Sequence, residues 1–284
     1  SALGLSQPAG VGITVGSGPG HLALFGYDPI EHEIGRGALE ALGVNFELGK
    51  DDLAARGNFC SVDAGGLITD RRAGRIPTEQ SRKLAELLGT IKIDGVECFV
   101  VPIKEHRFAF VMRGPGLGDA LSESDPLKTG YPTLPVRALH ENSEKSARLL
   151  NQYLEAARKL LQGKQPANMI TLRGFNRLPV LPAYAKMFGL HAAAIAVNGM
   201  YRGVARLAGM EVLQVEGITP AEEFAVLEKR WQDFDFFYIH IKQTDVCGEM
   251  GDFTGKVRVI EGVDALIPRL EALNPDVIIV SGDH

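Results

Sequence analysis

Val15-Gly-Ser-Gly-Pro-Gly-His21 sets one hydroxyl, that of Ser17, among three glycines and a proline, with an imidazole four residues on. Glycine allows a sharp turn and a close approach to the backbone. If such a turn opens a helix, its unpaired N–H groups favour an anion such as phosphate. A serine so placed is a sensible nucleophile, but at its ordinary pKa it is weak and needs a base or a metal ion. The plainer alternative is a turn before a helix, with His21 packed and hydrogen-bonded rather than a ligand.

Oxygen and nitrogen donors stand at two other places. Thr244-Asp245 follows the apolar run 234–242, and Asp283-His284 follows the run 276–280. Asp245, Asp283 and His284 form a donor set suited to Zn, Mn or Mg. A pair of such ions could activate the serine and clamp a phosphoryl group in transfer.

Arginines recur in the middle of the chain. Asp70-Arg-Arg-Ala-Gly-Arg75 holds three, His106-Arg107 and Arg113-Gly114 bracket an alternating stretch, and Arg173-Gly-Phe-Asn-Arg177 follows an apolar one. Ser122-Glu-Ser-Asp-Pro126 is a turn bearing two carboxylates. Guanidinium forks match phosphate and carboxylate oxygens two at a time. A small, doubly anionic substrate would suit this set; a solvated surface with ordinary ion pairs is the alternative.

These residues must be positioned by secondary structure. Residues 234–242 and 276–280 read as buried strands, and 254–273 as a helix in which Pro268 makes a kink or a break. That is β-α-β, which predicts parallel strands with Asp245 and Asp283-His284 at their carboxyl ends, where ligands bind in open parallel sheets. In the middle, 98–103, 107–112, 169–172, 192–197 and 211–215 read as strands. Residues 143–161 read as an amphipathic helix closed by Gly163. The predicted fold class is α/β, with residues 1–45 and 226–284 forming one discontinuous domain and 46–225 an inserted second α/β domain.

The totals fit two soluble domains. The chain has 284 residues, 45% hydrophobic and 23% charged, with 30 basic and 35 acidic side chains for a net charge of −5. That length exceeds one ordinary core. The charge calls for no nucleic acid and no acidic membrane. Cys60, Cys98 and Cys247 lie far apart in no CxxC spacing, which argues against a disulfide framework or a thiolate zinc site and fits a reducing cytoplasm. No run reaches the length of a membrane span, and no leader pattern is read at the start.

Several stretches occur together in one order: "GSGPGHLALFGYDP", "GRGALEALG", "RGNFCSVD", "DRRAGRI", "RGPGLGDALSESDP", "RLAGMEV", "HIKQTDVCGEMGDFTGKVRVIE" and "VSGDH". As a set, over nearly the whole chain, they resemble the archaeal-type cofactor-independent phosphoglycerate mutases of the alkaline phosphatase superfamily. The resemblance implies an alkaline-phosphatase-like, metal-binding parallel-sheet domain with an inserted substrate-binding domain. It implies interconversion of 3- and 2-phosphoglycerate, a step of glycolysis and gluconeogenesis, through a phosphoserine. It implies that no bisphosphoglycerate takes part and that two divalent ions do, with Mn foremost and Mg, Zn or Co as alternatives.

By the same resemblance, the family's Gly-x-Ser-x-x-(Gly/Ala)-His motif makes Ser17 the nucleophile and a metal ligand. "TDxxGHxGDF" makes Asp245 a ligand, and "GDH" makes Asp283 and His284 ligands. "RxNF", "DRRAGR", "HRF" and "SDP" point to the substrate site, with Arg72, Arg75, His106, Arg107, Asp125, Arg173 and Arg177 as its residues. Two departures stand out. Gly18 holds a place that is commonly acidic, and Glu249 replaces a ligand histidine, a harder and negatively charged donor. Set against the family, the sequence reads as truncated at both ends, without counterparts of a first aspartate ligand and a later histidine ligand. The expected partner is a small phosphorylated carboxylate, not nucleic acid or membrane, and a homo-oligomer stays open. Two rival readings keep the sequence: a phosphatase or other phosphomutase of the superfamily, or a catalytically degenerate relative that binds a metabolite.

Overall fold

The structure, a computed structural model, describes residues 16–32 and 34–282. In chain order its elements are helices α1 (Ser17–Leu24) and α2 (Arg36–Gly43), strands β1 (Asp52–Val62) and β2 (Ile68–Asp70), helix α3 (Thr78–Gly89), strands β3 (Glu97–Lys104) and β4 (Arg107–Arg113), and helix α4 (Glu144–Leu161). There follow β5 (Met169–Asn176), α5 (Tyr184–Phe188), β6 (Ala192–Ala196), α6 (Gly199–Leu207), β7 (Glu211–Leu213), α7 (Pro220–Arg230), β8 (Phe236–His240), α8 (Gln243–Glu249), α9 (Phe253–Asp264) and α10 (Ile267–Glu271). The chain divides into Ile34–Pro179 and a second unit made of the described residues on either side of it.

In the unit of Ile34–Pro179 the sheet is antiparallel. β1 lies between β4 and β5, β3 flanks β4, and β2 pairs with the far end of β1. β1 is buried nearly throughout because helices cover both of its faces. Leu53, Ala55 and Phe59 point into the larger core with Phe108, Phe110, Leu150 and Leu172. Ala54 points the other way, into a layer of Ala41, Ala109 and Val111. Small residues let α2 sit close on that second face, where a Cβ at Gly37 would overlap the Ala54 backbone; on the larger-core face one at Gly57 would overlap the Phe108 ring. α4 buries Ala147, Leu150, Leu154, Ala157 and Leu161, the stripe its spacing predicts, and Gly163 follows at φ +77°.

The second unit holds a parallel sheet in the order β7-β6-β8. β6 is buried along its whole length, and Ala193 and Ile195 pack with Leu213 and Leu227. α7 opens with a complete capping box between Thr219 and Glu222. The expected helix over 254–273 breaks into α9 and α10, with Pro268 in the first turn of α10, where a missing N–H costs nothing.

Two expectations are corrected. Residues 34–45 and 180–225 change sides relative to the boundaries read from the sequence. α2 needs the small-residue face of β1, and β6 and β7 find their parallel neighbour in β8. The run 276–280 is not a strand. It pairs with no strand among the described residues, and Val277, Ile279 and Val280 are 72%, 82% and 83% exposed. An apolar run becomes a strand only where a neighbour offers it a ladder.

Candidate functional site

Ser17 is the first residue of α1, preceded by Gly16 in extended conformation, and no N-cap side chain occupies the helix start. The His21 ring is fully buried, and its Nδ1–H donates to the Ser17 carbonyl at 2.6 Å. His21 is thus packed in the core, and its hydrogen bond braces the turn at Ser17. The Tyr201 hydroxyl donates to Ser17 Oγ at 3.4 Å. The Tyr201 ring stacks on His240 with centroids 3.5 Å apart, and His21 leans against it at 4.6 Å.

β8 ends at His240, and Lys242 follows with its ammonium 5.6 Å from the Tyr201 ring centroid. Lys242 also forms an ion pair with Asp245, in the first turn of α8. Its pKa is raised: burial lowers it, and the Asp245 carboxylate and Tyr201 hydroxyl more than offset that. Ser17, Tyr201, His240, Lys242 and Asp245 thus gather at the carboxyl ends of β6 and β8, the usual place for ligands in parallel sheets. His21, His240, Thr244 and Asp245 also line a pocket of about 630 Å³.

The expected metal ligands are only partly on view. Glu249 ends α8, one turn beyond Asp245 and exposed, and Asp283 and His284 lie outside the described residues. Among the described residues no three His, Cys, Asp or Glu side chains come close enough to hold an ion. A bound ion commonly takes three or four protein ligands, so these residues by themselves do not make up such a centre.

The arginines of the other unit form a platform. Strand pairing sets Arg56 opposite Arg173 and Ala109, and Asn58 opposite Arg107. Because strand side chains alternate, Arg56, Arg107 and Arg173 share the face whose other end is covered by α2. Arg56 pairs with Glu40, and its pKa is lowered by burial first, with the Arg107 and Arg36 charges adding to that against the pull of Glu40. Such crowding of guanidiniums is relieved when an anion binds among them.

Asp125 is buried and takes both forks of Arg71, Nε at 3.1 Å and Nη2 at 2.8 Å, with Arg173 Nη1 at 3.9 Å. A carboxylate so enclosed orients arginines rather than meeting an anion itself. Arg72 and Arg75 are exposed on the turn after β2. There Ala73, Gly74 and Arg75 all have positive φ, and Asp70 accepts from the Arg72 and Gly74 N–H groups. Non-glycine residues take that conformation only where the surroundings impose it. His106 is buried and pushed down to about 4, by burial first and then by Arg107; Arg72 and Arg75 add to this and Glu105 opposes it.

The structure therefore brings Arg72, Arg75, His106, Arg107, Asp125 and Arg173 together, but not Arg177. Arg177 lies beyond the far end of β5 and donates to the Lys50 carbonyl at 2.7 Å. Arg113 is likewise committed, to Asp52 at 2.8 and 2.7 Å. The sequence reading did not single out Arg56 and Arg71 as candidate site residues in the one unit or Tyr201, His240 and Lys242 in the other. The "RGNF" and "DRR" strings held the first two, and the polar end of the strand 234–242 held His240 and Lys242.

Comparison with known proteins bears on this arrangement. Residues 1–168 match the family described as 2,3-bisphosphoglycerate-independent phosphoglycerate mutase. The probable 2,3-bisphosphoglycerate-independent phosphoglycerate mutase of Thermotoga petrophila is 48% identical over 286 residues, covering 100% of this chain and 71% of that protein. The protein of the same description from Thermosipho africanus is 50% identical over the same coverage. The solved cofactor-independent phosphoglycerate mutase of Thermoplasma acidophilum superposes with a TM-score of 0.73 at 29% identity, over 89% of this chain and 70% of that one. With a relative half identical over the whole of this chain and the α/β fold of a solved mutase, the chain belongs to the 2,3-bisphosphoglycerate-independent phosphoglycerate mutases, a family of isomerases.

Proposed function

We propose that the protein interconverts 3- and 2-phosphoglycerate through a phosphoserine on Ser17, as a cytoplasmic enzyme of glycolysis and gluconeogenesis that uses no bisphosphoglycerate. The observation that carries this reading is the hydroxyl of Ser17 at the uncapped start of α1, where helix N–H groups favour an incoming phosphate. Ser17 Oγ forms a bond to phosphorus as the bond to the glycerate oxygen breaks. The serine proton ends on the hydroxyl that the phosphate has left. Transfer to the other glycerate hydroxyl reverses both changes and restores the serine.

Arg56, Arg107 and Arg173, with Arg72 and Arg75, hold the anionic glycerate. Their forks can take a carboxylate and let the sugar acid turn without releasing it. Asp125 keeps Arg71 and Arg173 aimed. Two divalent ions, manganese first, belong to the same proposal; when bound they would neutralise phosphoryl oxygens. Ser17, Asp245 and Glu249 are the proposed donors among the described residues, and Asp283 and His284 are the others that the family resemblance assigns in this sequence.

The test is a coupled assay from 3- to 2-phosphoglycerate with manganese and without bisphosphoglycerate. Ser17→Ala should lose roughly a thousandfold or more in kcat. Turnover that survives in Ser17→Ala overturns the phosphoserine reading. Release of inorganic phosphate in place of transfer would replace the mutase with a phosphatase.

A further inference from the structure

We infer that Tyr201 is a positioning residue for the Ser17 nucleophile; this rests on the reading of Ser17 just given. Three observations meet at this tyrosine. Its hydroxyl donates to Ser17 Oγ at 3.4 Å, a length that can shorten once substrate is bound. Its ring is only 1% exposed and stacked on His240 at 3.5 Å, with an interplanar angle of 22°. His21 leans on it at 4.6 Å, and the Lys242 ammonium lies 5.6 Å from its centroid.

The ring is held on several sides, so its hydroxyl points in one direction. Its backbone is held too. Tyr201 lies in the first turn of α6, where the Asn198 side chain caps the Met200 N–H at 3.0 Å.

The consequence falls on the serine. A serine side chain has three staggered rotamers of similar energy. A helix start fixes the Ser17 backbone and leaves that choice open. His21 braces the Ser17 carbonyl, and Tyr201 braces the hydroxyl. A phenol that donates to Oγ selects one rotamer and directs the serine hydrogen elsewhere. An in-line displacement needs the attacking oxygen on the axis of the breaking bond, so this alignment acts on the chemical step more than on substrate affinity.

Tyr201→Phe keeps the ring and its stack and removes only the donor. In the full-length protein we expect kcat for 3-phosphoglycerate to fall roughly ten- to a hundredfold. KM should stay within about twofold and the thermal midpoint should be kept, as befits a lost alignment rather than a lost contact to substrate. Rapid-quench measurement of phosphoserine formation should show the same fall.

An unchanged kcat in Tyr201→Phe overturns the inference, as does a rise in KM alone. A loss of rate with a lowered midpoint also overturns it, in favour of simple support of the fold. Ser17→Ala, measured alongside, keeps the two proposals apart. Its survival removes the Ser17 reading. Its silence beside an active Tyr201→Phe removes only the role of Tyr201.

Discussion

Lowering the pH should unfold this protein partly through one residue, His106. It follows Glu105, which turns the β3–β4 connection at φ +52°, and its carbonyl accepts from the Phe59 N–H at 2.8 Å. Burial withholds water from the imidazolium, and Arg107, Arg72 and Arg75 repel it. Glu105 compensates only in part, with its carboxylate 3.9 Å from Nδ1. The result is a histidine at about 4 instead of the ordinary 6.5. At 1.36 kcal/mol per pH unit, that gap is worth about 3 kcal/mol.

Between those values the unfolded chain binds a proton that the folded chain refuses. Stability is therefore complete above pH 6.5 and is lost as the pH falls toward 4. On the proposed reading, phosphoglycerate held among the same arginines would reverse the balance, because its negative charge favours imidazolium. The His106 pKa should rise on binding, and affinity should increase as the pH falls through the same interval. The assay is an NMR titration of the His106 ring with and without 3-phosphoglycerate, assigned with His106→Asn. Urea unfolding at pH 7.5 and pH 5 measures the stability change. A free-state value near 6.5 would refute the burial and crowding of His106. A value near 4 that the ligand leaves unmoved would refute the arginine face as the anion site.

Two further outcomes follow from buried carboxylates. The Asp125 side chain is 1% exposed, and Asp125→Asn keeps its shape while leaving Arg71 and Arg173 without their countercharge. Urea unfolding should report a loss of about 2–3 kcal/mol, tempered by the exposure of Arg71, and KM should rise roughly tenfold. A variant equal to the parent in both would show that Asp125 does not hold the two forks. Glu223 on α7 is buried and raised to about 7, by burial first, with the Val197 backbone opposing. Its folded value lies above the ordinary 4.5, so its contribution is whole below pH 4.5 and is lost as the pH rises through 7. Glu223→Gln should match the parent near pH 5 and exceed it by about 1–3 kcal/mol at pH 8; equal stability at pH 8 would refute an ionised, unhappy Glu223.

What could be seen in the sequence was local. α4, β3, β4, β6 and the break at Pro268 came from periodicity and from one proline, signals that need no partner. β1 could not be seen that way. Leu-Ala-Ala-Arg-Gly-Asn has no polar alternation, because helices cover both faces of the strand and small residues serve the close one. The run 276–280 misled in the opposite direction: its composition is that of a strand, but among the described residues no neighbour pairs with it. The boundary between the units was misplaced for a related reason. Parallel strands are joined by long crossovers, so the chain gives no short-range sign that β6 belongs with β8.

The same reasoning explains which candidate site residues the sequence could offer. Arg72 and Arg75 were visible because one turn holds them both. Ser17 was visible because its glycines are adjacent to it. Arg56, Arg107 and Arg173 are far apart along the chain and become neighbours only through the register of β1 with β4 and β5. Had β1 been recognised, the alternation of strand side chains would have placed Arg56 on the face of Arg107 and Arg173 without any coordinates. Tyr201 would still have been missed, since its link to Ser17 passes through the packing of α1 against α6, and nothing local in either helix marks it. Chemistry assembled by turns can thus be read from the sequence, chemistry assembled by strand register can be read once the strands are known, and chemistry assembled by helix packing needs the fold.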